Sequence, residues 1–114
     1  MGETRVALSG YKGMWMFALF DLPVDTKISR KQYTKFRNVL LKNGFTMLQY
    51  SVYARYCPSE EAGKMMKAVI KPFIPPRGQV RIMLVTDRQF EKMEVFYGKK
   101  REKAEDPPMQ LTFF

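Results

Sequence analysis

The sequence predicts an α+β sandwich in which elements follow the order β-α-β-β-α-β, and three observations predict it. Met14 to Pro23, MWMFALFDLP, is an apolar run too short to span a membrane and rich in bulky residues that suit a central strand. Two later segments repeat their apolar residues at helical spacing behind capping residues, and Gln79 to Thr86, QVRIMLVT, reads as a further strand after a proline-rich break.

The run at 14 sets the architecture. In a strand Trp15, Phe17, Leu19 and Asp21 share one face while Met14, Met16, Ala18 and Phe20 share the other. Both faces are apolar, so both need a cover, and the chain has helices enough for only one. The second face is therefore expected to meet a second copy of the chain. Asp21, the only charge in the run, would then face its symmetry mate near a two-fold axis, where two carboxylates share a proton or a metal. Position alone favours the simpler reading, an ordinary aspartate accepting backbone hydrogen bonds in the turn before Pro23.

After Pro23, Asp25-Thr26 caps a helix running to Lys42, and Asn43-Gly44 stops it. Tyr33, Phe36, Val39 and Leu40 form its apolar stripe, with Lys31, Lys35 and Lys42 opposite and Arg30 and Arg37 on a flank. Residues 45–57, FTMLQYSVYARYC, read as one bent strand or as a short hairpin near Gln49-Tyr50. Ser59 opens a second helix, ending near Lys71, with Ala62, Met65, Met66, Val69 and Phe73 as its apolar face and both methionines in the core. Thr86-Asp87-Arg88-Gln89 has the form of a capping box, predicting a short helix with Phe90 and Met93 before a last strand at 94–97. Residues 1–13 are an extension, 14–98 the domain, and 99–114 a polar, basic linker followed by an apolar docking strand, MQLTFF. The order of elements is that of a ferredoxin-like βαββαβ sandwich.

Composition narrows function. With 46% hydrophobic residues the chain is globular, and 20 Lys and Arg against 11 Asp and Glu give a net charge of +9, which points to a polyanion. No acidic residue separates Asp25 from Glu60, whereas Lys27, Arg30, Lys31, Lys35, Arg37, Lys42 and Arg55 all fall there. Solvated helix faces normally mix signs, so this one reads as a phosphate-facing surface. There is no histidine, which removes His-based general-base chemistry and His-containing metal sites, so the chain either uses carboxylates and a hard metal ion or has no catalysis. A single cysteine, Cys57, excludes an intramolecular disulfide; with no signal peptide or long apolar segment, a cytoplasmic protein with no membrane contact is expected.

Four blocks then acquire a common meaning: LFDLPVDT at 19–26, RKQYTKFRNVLLKNGF at 30–45, QYSVYAR at 49–55 and TDRQFEKM at 86–93. Together they resemble the smaller of the two CRISPR-associated spacer-acquisition (adaptation) proteins, the CRISPR-associated endoribonuclease family. The resemblance implies a ferredoxin-like homodimer with sheets facing each other, and a partner in the larger CRISPR integrase subunit. It implies a short double-stranded DNA, or alternatively RNA, as ligand. It further implies that Asp21 is the catalytic strand-end aspartate and the Mg²⁺ ligand of a metal-dependent endonuclease.

From the residues themselves, Lys27, Arg30, Lys31 and Arg37, with the Lys99, Lys100, Arg101 cluster, are the candidates for holding nucleic-acid phosphates without reading sequence. One carboxylate per subunit is sparse for two-metal phosphodiester cleavage, which physically favours a scaffold over a nuclease. A ferredoxin-like RNA-binding or regulatory domain without catalysis is the alternative.

Overall fold

In the computed structural model, which describes residues 13–108, the central strand β1 runs Met14–Asp21 and pairs antiparallel on both sides. β2 (Thr46–Gln49), β3 (Val52–Cys57) and β4 (Gln79–Thr86) complete a four-stranded sheet in the order β2-β3-β1-β4. Helices α1 (Lys27–Lys42) and α2 (Glu60–Ile70) lie on one face, which is the expected βαββαβ sandwich. The segment at 45–57 resolves as a hairpin whose turn, Tyr50-Ser51, sits where the sequence allowed one.

Local chemistry explains where the helices begin and end. The Thr26 hydroxyl accepts from the Ser29 amide while the Ser29 side chain accepts from the Thr26 amide, satisfying two donors that the first turn of α1 would otherwise leave open. At the far end Gly44 takes φ +86°, a left-handed conformation that glycine adopts without steric penalty. Ser59 caps α2 through the Ala62 amide, and the Thr86–Gln89 capping box opens the short helix α3 (Asp87–Glu91).

The helix-side core joins Met16, Ala18 and Phe20 of β1 to Phe36 and Leu40 of α1, Tyr53 and Cys57 of β3, and Ile70 of α2. Phe36 and Leu40 are fully buried, as the α1 stripe predicts. The stripe of α2 needs correction. Met65 is 71% exposed and Val69 and Phe73 are exposed too, whereas Gly63 and Ile70 are buried. The helix is turned so that Gly63 faces β4. A side chain there would press on Leu84, with its Cβ 2.9 Å from Cδ2, so glycine allows a close approach that apolar periodicity does not register.

The outer face of the sheet also departs from expectation. Trp15 and Phe17 are buried within the single chain, because α3 and the segment after it fold back over them. Phe90 stacks on Trp15 with ring centroids 4.0 Å apart and planes 11° from parallel, and Ala104 packs into the same cluster. The Trp15 indole donates to Asp87 Oδ1 at 3.1 Å, which pins α3 in place. The expected last strand forms as β5 (Val95–Tyr97), but it pairs with β6 (Lys100–Glu102) in a separate two-stranded sheet. Part of the predicted linker is therefore a hairpin, turned at Gly98. The N-terminal extension up to residue 12 and the MQLTFF docking strand lie outside the described residues.

Candidate functional site

Asp21 closes β1, in register with Gln79 of β4, and its side chain is exposed. Two features hold the backbone here. The Phe20 amide donates to the Ser51 carbonyl at 3.1 Å, tying the strand end to the β2–β3 turn. On the other side Gly78, at φ +92°, approaches so closely that a Cβ on it would lie 2.7 Å from the Asp21 carbonyl oxygen. The carboxylate thus projects from a strand end fixed by both neighbouring strands.

Magnesium takes one or two protein carboxylates and fills the rest of its octahedron with water and substrate oxygens. Among the described residues there is no group of three acidic, cysteine or histidine side chains that would form a metal cage. Asp21 could hold such an ion as one carboxylate, and a second copy of the chain bringing its own Asp21 alongside would make two.

The basic row is on α1. Lys27, Arg30, Lys31, Thr34, Lys35, Asn38 and Lys42 line a shallow groove along the exposed side of the helix, and no acidic residue lies in it. Charge of one sign with interspersed hydroxyl and amide groups has the chemistry that phosphate contacts require. Arg30 also donates from Nη1 to the Val24 carbonyl at 3.2 Å, so its charge is held near the loop that follows Asp21. Arg37 does not join this row. It is half-buried, and its Nε donates to the Tyr53 hydroxyl at 3.1 Å, so it fastens α1 to β3.

Lys99, Lys100 and Arg101 are exposed on the β5–β6 hairpin. That hairpin belongs to the outer-face cluster through Val95, whereas α1 covers the inner face, so the two basic groups lie on opposite sides of the sheet. Lys100 is 3.6 Å from Glu102 and Arg101 is 3.7 Å from Glu94, which offsets part of their charge. Arg77 escaped the sequence reading because it stands inside a proline-glycine break. It pairs with Asp25, two residues beyond Pro23, and joins the two loops flanking Asp21.

Residues 14–93 match the family model described as CRISPR associated protein Cas2. The chain is 46% identical over 101 residues to the "CRISPR-associated endoribonuclease Cas2" of Parvibaculum lavamentivorans, covering 89% of this chain and 100% of the relative. A protein of the same description from Flavobacterium psychrophilum is 40% identical, covering 98% and 97% of the two chains, and one from Paracidovorax avenae is 43% identical, covering 94% and 99%.

Proposed function

The chain belongs to the CRISPR-associated Cas2 family, and from that premise we propose that it works as a homodimeric CRISPR adaptation protein that holds nucleic acid by its backbone and hydrolyses phosphodiester bonds at paired Asp21 carboxylates. The observation that carries the reading is the single-sign row of α1, beginning one short loop after the strand-end aspartate. Phosphates lying along Lys27, Lys31, Lys35 and Lys42 lead a strand toward the end of β1. Relatives named as endoribonucleases support nuclease chemistry. Short duplex DNA as ligand and the larger integrase subunit as partner belong to the proposal through the resemblance of the four sequence blocks. The Asp21 carboxylates would hold Mg²⁺, which would supply Lewis-acid chemistry for phosphodiester hydrolysis.

One observation favours a second reading, a scaffold without catalysis: among the described residues no three acidic, cysteine or histidine side chains come together as metal ligands. Both readings need phosphate binding, which is tested first. Log affinity for a duplex should fall with log salt at about 0.9 per phosphate neutralised, and the triple change Lys27→Ala, Lys31→Ala, Lys35→Ala should flatten that slope. A slope near zero in the unmodified protein would refute backbone binding.

A further inference from the structure

The β2–β3 turn holds a large aromatic side chain in water. Tyr50 is 75% exposed although it sits in a tight two-residue turn where a small polar residue would suffice. Its neighbour Ser51 takes φ +62°, a sparsely populated conformation for a residue with a side chain, and the Ser51 carbonyl is fixed by the Phe20 amide. The turn is therefore held in one shape, and that shape places Tyr50 against Tyr33 of α1, with centroids 6.5 Å apart and planes 23° from parallel. Tyr33 in turn meets the buried Phe20 edge-on at 6.0 Å. The two tyrosines form a stack rooted in the core whose outer surface is open.

The setting selects what would cover it. Tyr33 lies on α1 three residues after Arg30, a member of the phosphate-facing row, so the stack sits beside that row. The turn is tied to the residue preceding Asp21. An apolar peptide would not need the cations, whereas a nucleobase arrives with its own phosphate. The adjacent Tyr33 hydroxyl holds the Tyr50 phenol above its usual value.

We propose that Tyr50, backed by Tyr33, is a platform on which one unpaired nucleobase stacks, so that the protein favours nucleic acid carrying an unpaired nucleotide beside the end of β1. The inference rests on the α1 row as a phosphate-binding surface and adds to it a contact made to a base. Stacking reads no sequence, because every base has a π-face.

The test compares a blunt duplex with the same duplex bearing short single-stranded overhangs, in the presence of a chelator so that nothing is cut. The full-length protein should bind the overhang form more tightly, and Tyr50→Ala should lose that preference, a drop of roughly 5- to 150-fold per stacked base. Affinity for the blunt duplex and the salt slope should stay, and Tyr50→Phe, which keeps the ring, should retain the preference. An abasic nucleotide in the overhang should mimic Tyr50→Ala. 5-Iodouracil at the unpaired position should crosslink to the peptide that carries Tyr50. Equal loss of blunt and overhang binding in Tyr50→Ala, or an unchanged preference, overturns the platform alone. If neither duplex binds the unmodified protein, the phosphate-binding reading falls with it.

Discussion

Arg77 grips Asp25 with both terminal nitrogens, Nη2 to Oδ2 at 3.2 Å and Nη1 to Oδ1 at 3.4 Å, and so ties the loop after β1 to the turn before β4. The Ser29 hydroxyl adds a third donor to the same carboxylate. Arg77 first and Ser29 second hold the Asp25 carboxyl below its ordinary value near 3.8. A carboxyl depressed in the folded chain contributes stability that is present above the unfolded value and lost as pH falls through the folded one. Thermal unfolding followed from pH 6 downward should show a decline below about pH 4, shallower in Asp25→Asn. Both side chains are exposed, so the effect is small. Parallel pH profiles of the two proteins would exclude the pairing.

Gly78 stands next to Arg77 and is intolerant for a different reason. At φ +92° any side chain is strained, and here a Cβ would also press on the Asp21 carbonyl and on Leu22. Gly78→Ala should lower the unfolding free energy by about 1–3 kcal/mol, read from urea midpoints. A variant as stable as the original would show that the loop relaxes freely.

Phe90→Ala tests how the outer face is covered. Removing a ring that is 2% exposed and stacked on Trp15 should destabilise the fold by about 3–5 kcal/mol. Trp15 is the only tryptophan, so its fluorescence reports the same event. Its emission should shift to the red as water reaches the indole, and unchanged emission would mean that something other than α3 shields it.

These residues also show how much was legible beforehand. Strand β1, the ends of α1, the span of β4 and the Thr86 capping box were readable because period and capping act locally. The rotation of α2 was hidden because it follows from Gly63 meeting Leu84, a contact between distant parts of the chain. The self-cover of Trp15 was hidden for the same reason: Phe90 and Ala104 are far away in sequence, and 99–108 is too polar to suggest packing. At the site, the charge row was visible as composition. The diversion of Arg37 to Tyr53, the Arg77–Asp25 pair and the Tyr33–Tyr50 stack each needed tertiary geometry.

Dimerisation now rests on less surface than the sequence implied, since Trp15 and Phe17 are already covered. Met83 on the outer face of edge strand β4, and Phe96 and Tyr97 on the hairpin, remain exposed. A dimer built through them should sediment as such at micromolar concentration, and Met83→Lys should shift it toward monomer. A stable monomer in the unmodified protein would remove the paired-carboxylate reading.

Asp21→Asn separates enzyme from scaffold. The change keeps the size of the side chain and removes the charge that a magnesium ion needs. Because Asp21 is exposed and its strand end is held by backbone contacts with Ser51 and Gly78, the variant should fold and bind duplex as before. In the proposed dimer, loss of the charge would also remove repulsion between the two Asp21 carboxylates, so dimerisation without metal should hold or strengthen. Cleavage of RNA and DNA strands should require magnesium, stop with a chelator and fall to background in Asp21→Asn. If insertion of short duplexes with the integrase subunit survives in the same variant, scaffolding and cleavage are separate functions of one chain. If insertion fails while folding, dimerisation and binding persist, the Asp21 carboxylate is part of adaptation itself. Magnesium-dependent cleavage that persists in the variant would instead place the metal elsewhere and end the case for Asp21.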